Sequence, residues 1–348
     1  MLSLSPATIY SLNKKVDNKQ LLYPRLYELD RATDGWGKQL IGIKKSYSFP
    51  CKYHGADKSS KKIMSFLFGK RYKPYTKIYK YVLNARALPN NKNKLLAICG
   101  IAPNGLIHLG HFQHITAIHD TKIRSTIVSF NDIEAQLVRN ANYDKIQSSI
   151  ESFNLVLPPN ATKEVRTKIP ELMDLFNKLL NIIKQKDYFI VFGRDLNKQE
   201  RFSINLQAAA YLYRSLKDPK FIPIGFDGIE ELKRMKYINY IAQQKLGLPG
   251  GVFFISPQIP GWRNTMKMGK SNPIGSLKIG DSLKEIINNI KKLKSCLASR
   301  YLLCITIFLF SRRREHILPI STNIKILKEL AIRNIKINHS KKFPLIQN

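Results

Sequence analysis

Short apolar runs alternate with amphipathic stretches along this chain, and the alternation predicts the elements. Residues 95–99 (LLAIC) follow a polar break at 89–94 and predict a strand. The turn-forming GIAPNG at 100–105 separates it from a helix predicted over 107–118. A second strand is predicted at 125–130 (STIVSF), ending in Asn131 and Asp132. Apolar positions recur at helical spacing over 145–153 and 171–186, whereas the run YFIVF at 188–192 predicts a buried strand. A helix over 204–216, a short strand at 221–224 and a long helix over 228–246 complete the series. Strands alternating with helices predict an α/β fold with a parallel sheet. In such sheets ligands bind beyond the carboxyl ends of the strands, so chemistry is sought in the loops after Cys99, Phe130 and Ile224. Ahead of residue 95 one helix is predicted near 61–68, and the rest is poorly patterned. The longest apolar run, ten residues at 301–310, is about half of what a membrane span needs. A buried helix or strand is expected there, and no membrane role.

Composition changes the picture in one respect. The 348 residues include 58 Lys+Arg against 24 Asp+Glu, a formal charge of +34, yet 44% are hydrophobic. That apolar content excludes a disordered polybasic tail. The charge is uneven: +15 over residues 1–100, +8 over 101–281 and +11 over 282–348. The chain is accordingly divided into a basic N-terminal extension of unknown fold (1–94), a central α/β domain (95–281) and a basic, mainly helical C-terminal region (282–348). Lysines and arginines interleave with Tyr72, Tyr75, Tyr79 and Tyr81, a pattern suited to phosphate contact and base stacking. A nucleic-acid partner is expected. Four cysteines without a CxxC pair argue against both a disulfide framework and a zinc site, and for a reducing compartment. The cytoplasm fits; a mitochondrion or other organelle is the alternative, because the first sixteen residues contain no acid, although they also contain no Arg.

Two loops carry candidate chemistry. The first continues from Gly100 and Ala102 to His108, Gly110 and His111 (HLGH). Two histidines three apart share one face of a helix start, where free N–H groups and the helix dipole attract phosphate. Gly110 between them leaves room for a nucleotide ring on the backbone. No carboxylate or thiolate lies at ligand spacing beside them, so no metal site is predicted. The second loop is MKMGKSNP at 266–273, in which Lys267 and Lys270 can close over a triphosphate.

HLGH and, 159 residues after its first His, KMGKS together resemble the class I aminoacyl-tRNA synthetases with their HIGH and KMSKS signatures. The tryptophanyl and tyrosyl subgroup is the nearest match, over residues 95–295. Leu206-Gln207-Ala208-Ala209 is similar to the LQAA segment of tryptophanyl enzymes, and 221–227 (FIPIGFD) to their VPVG segment. GIAPNG and 130–137 (FNDIEAQL) look instead like tyrosyl segments. Four departures stand out: Gly269 replaces the Ser of KMSKS, Gly228 a Gln, Ala210 an Asp that meets the substrate side chain, and Ile98 a usual Tyr of tyrosyl enzymes. The resemblance implies a Rossmann-like sheet of the HIGH/KMSKS nucleotidyl-transferase type with a C-terminal helical domain. It implies an enzyme that uses ATP and Mg²⁺ to activate tryptophan, or alternatively tyrosine, and passes it to tRNA, as a homodimer. His108, His111, Lys267 and Lys270 would be catalytic. Gly100, Ala102, Gly110, Met268 and Ser271 would bind ATP, and Asp132, Gln207 and Asp227 the amino acid. A synthetase-like RNA-binding protein without charging activity, and a small-molecule nucleotidyltransferase, remain as alternatives.

Overall fold

The computed structural model describes residues 58–342 except 263–275 and single or paired residues at 80, 139, 155, 158–159, 229–230, 257–258, 260, 279, 296, 312–313 and 315. Six strands form one sheet in the order β1-β6-β5-β2-β3-β4. They are β1 (Tyr81–Leu83), β2 (Leu95–Ile101), β3 (Ser125–Phe130), β4 (Thr162–Val165), β5 (Ile222–Gly228) and β6 (Val252–Ser256). Every pairing is parallel except β1 with β6, which is antiparallel. From β2 the chain moves outward through β3 to β4, then crosses back to β5 on the other side of β2 and on to β6. Strand order therefore reverses between β2 and β5, the place where doubly wound sheets hold their ligands.

The helices are α1 (Lys58–Phe68), α2 (Tyr72–Ile78), α3 (Leu109–Thr121), α4 (Tyr143–Asn154), α5 (Pro170–Ile182), α6 (Gln185–Phe192), α7 (Lys198–Lys217), α8 (Leu232–Lys245), α9 (Leu283–Lys292), α10 (Leu297–Phe310) and α11 (Ile324–Lys342). Alternation along the strands sends side chains to two cores. Leu95, Ala97, Cys99 and Ile101 of β2 face a core shared with α1 to α4 and α9 to α11. Leu96 and Ile98 face a second core built with α5 to α8. Buried on both faces, the central strands lack the alternation of a half-exposed sheet, as expected for parallel strands.

Residues 188–192, expected as a strand, instead form the second half of α6. The Asp187 carboxylate accepts from the Lys184 N–H at 2.9 Å, which starts the helix, and Gly193 ends it with φ of 69°. Tyr188 and Phe192, four apart, turn inward while Phe189 is 46% exposed, a helical division of the same apolar run. The helix expected over 171–186 breaks into α5 and α6 at Ile183 and Lys184. The apolar run 301–310 is a helix, α10, buried along its length beneath the sheet: Phe308 meets Tyr75 edge-on and Phe310 packs on Phe112. Among the described residues, no helix is long and apolar enough to cross a membrane. Residues 58–94 join this same body, since α1 and α2 line the first core and β1 extends the sheet.

One buried carboxylate fastens the far end of α3. Asp120 accepts from Tyr75 of α2 at 2.7 Å and from Arg314, ahead of α11, at 2.6 Å, with His119 at 3.2 Å. Burial alone would raise this carboxyl, but the hydrogen bonds of His119 and Tyr75 and the Arg314 charge hold it below the usual range. A depressed acid stabilises above its unfolded pKa and loses that contribution as pH falls through its folded one. Asp120→Asn is therefore expected to lower the unfolding free energy by about 3 kcal/mol at neutral pH. Urea titrations of the two proteins should converge as the medium is acidified below the ordinary carboxylate range.

Candidate functional site

β2 and β5 pair from Leu95–Ile222 to Ile98–Gly225 and no further. Beyond that rung β2 stays with β3 as far as Ile101–Phe130, and β5 with β6 as far as Gly228–Ser256. The sheet is split at its carboxyl edge, with Gly100 on one lip and Asp227 on the other.

On the first-core side of the split stands the start of α3. His108 is the N-cap, in extended backbone conformation, and its Nδ1 accepts from the Gly110 N–H at 3.1 Å. The His111 Nδ1 in turn accepts from the His108 N–H at 3.4 Å, so the two imidazoles complete a reciprocal capping box. Their ring centroids lie 3.8 Å apart, and Phe153 meets His111 edge-on from α4. Because both Nδ1 atoms accept, both rings carry their proton on Nε2, as donors. The N–H groups that the sequence offered to phosphate are already engaged: Gly110 by His108, and Leu109 by the Leu277 carbonyl at 3.0 Å. An anion here is met by imidazole N–H groups and the helix dipole. The room expected above Gly110 is likewise taken by the His108 ring, since a Cβ there would lie 2.8 Å from its Cε1.

The same backbone brings in the distant second loop. His108 forms an antiparallel bridge with Lys278. The chain thus leaves β6 at Ser256, opposite Gly228, and returns opposite His108. Lys267, Met268, Lys270 and Ser271 lie between, outside the described residues. Both described flanks of that loop adjoin the split.

The second-core side is held by charge. Glu134 accepts from Asn131 Nδ2 at 2.8 Å and from Ser203 of α7 at 3.1 Å. Arg234 of α8 lies 3.7 Å from Glu134 and 3.4 Å from Glu231, and donates to Gln207 Oε1 at 3.1 Å. Gln207 is therefore present at the site with its carbonyl engaged. Asp227 accepts from its neighbour's N–H, Gly228, at 2.8 Å. Asp132 accepts from Thr167 at 2.5 Å through Oδ2, while its buried Oδ1 has no partner. Ala102 sits in the turn after β2, where its carbonyl accepts from Asn104 at 2.9 Å. Glu134 and Arg234 line this side, and Arg166 lies over Gly100, its Nη2 2.9 Å from where a Cβ would be; none of the three is assigned from the sequence. Asn131 and Glu134, three apart at a strand end, were the available signal for the first; nothing local marks the arginines. Among the described residues no three His, Cys, Asp or Glu side chains converge as a metal site.

No family model matches this chain, and no curated protein matches it in sequence. Solved structures do. Tryptophanyl-tRNA synthetase of Giardia lamblia aligns with a TM-score of 0.65 at 13% identity, over 85% of this chain and 92% of that one. The Encephalitozoon cuniculi tryptophanyl-tRNA synthetase bound to tryptophan gives 0.65 at 14%, over 84% and 91%. Tyrosyl-tRNA synthetase of Aeropyrum pernix gives 0.61 at 12%, over 82% and 94%. The chain has the Rossmann-like fold of the class I tryptophanyl and tyrosyl synthetases.

The capping geometry makes a prediction. Gly110→Ala should gain helix propensity of about 0.8 kcal/mol and lose a cap worth about 1 kcal/mol, leaving Tm within about 4 °C of the parent. The added Cβ forces His108 out of its cap, and the imidazole proton resonances should move to solvent-like positions. Unchanged resonances in the folded variant would refute the arrangement.

Proposed function

We propose that the chain is a class I aminoacyl-tRNA ligase that activates an aromatic amino acid, tryptophan or tyrosine, with ATP and transfers it to tRNA. The observation carrying this reading is the split between β2 and β5, with HLGH at one side and both flanks of the KMGKS loop beside it. The neighbours of matching fold bear tryptophanyl- and tyrosyl-tRNA synthetase names.

The chemistry follows from the groups present. The amino-acid carboxylate is ionised at neutral pH and attacks the α-phosphorus without a base. Catalysis then rests on positioning and on stabilising the charge that leaves with pyrophosphate. His108 and His111 donate from Nε2 to phosphate oxygens, and Lys267 and Lys270 neutralise the pyrophosphate end. Magnesium arriving with the triphosphate would add charge neutralisation on the phosphates beside His108, His111, Lys267 and Lys270. Gly100 and Ala102 line the lip where the nucleotide enters, while Asp132 and Asp227 suit the substrate ammonium. Exposed cations on α1, α2, α9 and α11, among them Lys61, Lys62, Lys73, Lys291, Lys325 and Arg333, suit the tRNA backbone. A homodimer and a reducing, cytoplasmic setting complete the proposal; Cys99 and Cys304, buried and outside any disulfide, are in keeping with the latter.

Amino-acid-dependent ATP–pyrophosphate exchange tests the reading. Exchange is expected with tryptophan or tyrosine, falling about 100-fold or more in His108→Ala and in Lys267→Ala, while tRNA binding persists and weakens steeply with salt. No exchange with any amino acid, alongside intact tRNA binding, would leave an RNA-binding protein of synthetase fold.

A further inference from the structure

Arg166 is a deeply buried charged side chain beside the split, with a donor left unmet. It opens the turn after β4, is 2% exposed, and donates from Nε to Ser129 of β3 at 3.0 Å. Its Nη1 is buried and has no hydrogen-bond partner. Its Nη2 lies where a side chain of Gly100 would be, 2.9 Å from the position of a Cβ, with Tyr211 next to it. Glu134 and Asp132 are close enough to act on its charge, as are Tyr211 and Arg234, the last unfavourably. Burial pulls the guanidinium down to about 10, which still leaves it charged near neutrality.

Two facts define what such a group requires. First, it is on the second-core face of β2, over Gly100, whereas His108 and His111 stand on the opposite face. A substrate whose carboxylate reaches the phosphates at the histidines presents its side chain, not its carboxylate, to Arg166. Second, Ile98 and Ala210, which line the same core, are apolar, and the carboxylates of Glu134 and Asp132 act on the charge of Arg166 without bonding its Nη1, so an oxygen carried by a ligand can meet that donor. The indole of tryptophan has one N–H donor and no acceptor. A phenol oxygen accepts. Leaving a buried charged donor unmet is heavily unfavourable, and a site built to bind a hydroxyl rejects analogues lacking it by about 10⁴-fold or more.

We infer that Arg166 is a specificity-determining residue that donates to an oxygen on the substrate side chain, and that tyrosine rather than tryptophan is the amino acid taken. This rests on the ligase reading above and deepens it.

The test measures kcat/KM for pyrophosphate exchange with tyrosine, phenylalanine, tryptophan, aspartate and glutamate, in the parent, Arg166→Lys and Arg166→Met. Tyrosine should exceed phenylalanine and tryptophan by at least 1,000-fold in the parent. The tyrosine-to-phenylalanine ratio should drop at least 100-fold in Arg166→Met and be partly kept in Arg166→Lys. That ratio is read within one protein, so a general loss of folded enzyme does not move it; circular dichroism melts monitor folding separately. Preference for tryptophan or for an acidic amino acid, or a ratio untouched in Arg166→Met, would overturn the inference while leaving the ligase reading intact. If no amino acid supports exchange, the ligase reading fails. Calorimetric binding of tyrosine against phenylalanine then decides the inference alone: tighter tyrosine binding that Arg166→Met abolishes supports it, and equal or absent binding overturns it.

Discussion

Strands β2 and β5 release each other after Ile98 and Gly225, and the proposed site hangs on that release. Each strand keeps its outer neighbour for several more residues, so the two halves of the sheet open like a seam without losing backbone hydrogen bonds to solvent at the outer edges. Strand order reverses at the same seam. The connection from β2 must therefore run to one face of the sheet, and that from β5 to α8 on the other. One consequence is a division of labour between faces: α3 and its histidines on the first core, α7 and α8 with their charges on the second.

The histidine side is held by backbone. His108 caps α3 through its ring, receives the return cap of His111, and bridges Lys278 through its main chain. A single residue thereby fixes the helix start, the imidazole orientation and the return of the chain after the KMGKS loop. At its other end α3 is tied by Asp120 to α2 and to the segment before α11. A helix anchored at both ends holds its N-terminal rings in place better than cap bonds alone, and the buried α10 packed beneath it adds apolar contact along its length.

Much of this was legible from sequence, and the exceptions have physical causes. β2, β3, α3 and α7 were found because their apolar periodicity or turn chemistry is strong within a single element. The stretch 188–192 was misread because a five-residue apolar run fits a buried strand and a helix equally; the deciding groups, Asp187 and Gly193, flank it. β1 is three residues long and β4 carries Lys163 and Glu164 at the sheet edge, so neither shows a strand pattern. HLGH was identified by spacing, yet its helix start turned out to be self-capped, a fact of ring orientation that no spacing records. Arg166 and Arg234 lie in segments with no motif; only tertiary packing brings them beside Gly100 and Gln207.

The two buried arginines differ in a way that separates scaffold from recognition. Taking a guanidinium out of water is costly, and the cost is offset only when its donors and charge are met. Arg234 has Glu134, Glu231 and Gln207 around it, spanning the end of β3, α7 and α8. It works as a strut, and its charge is held up by those carboxylates against the burial that would lower it. Arg166 has one hydrogen bond, to a neutral hydroxyl, and its charge is disfavoured overall. A residue needed only for the fold gains nothing from that state, and an apolar side chain of like volume would serve better. An under-satisfied donor next to a glycine on the lip of a binding seam is instead a group whose stabilisation is completed on binding. The free protein carries the unfavourable term, and an oxygen of the right ligand removes it.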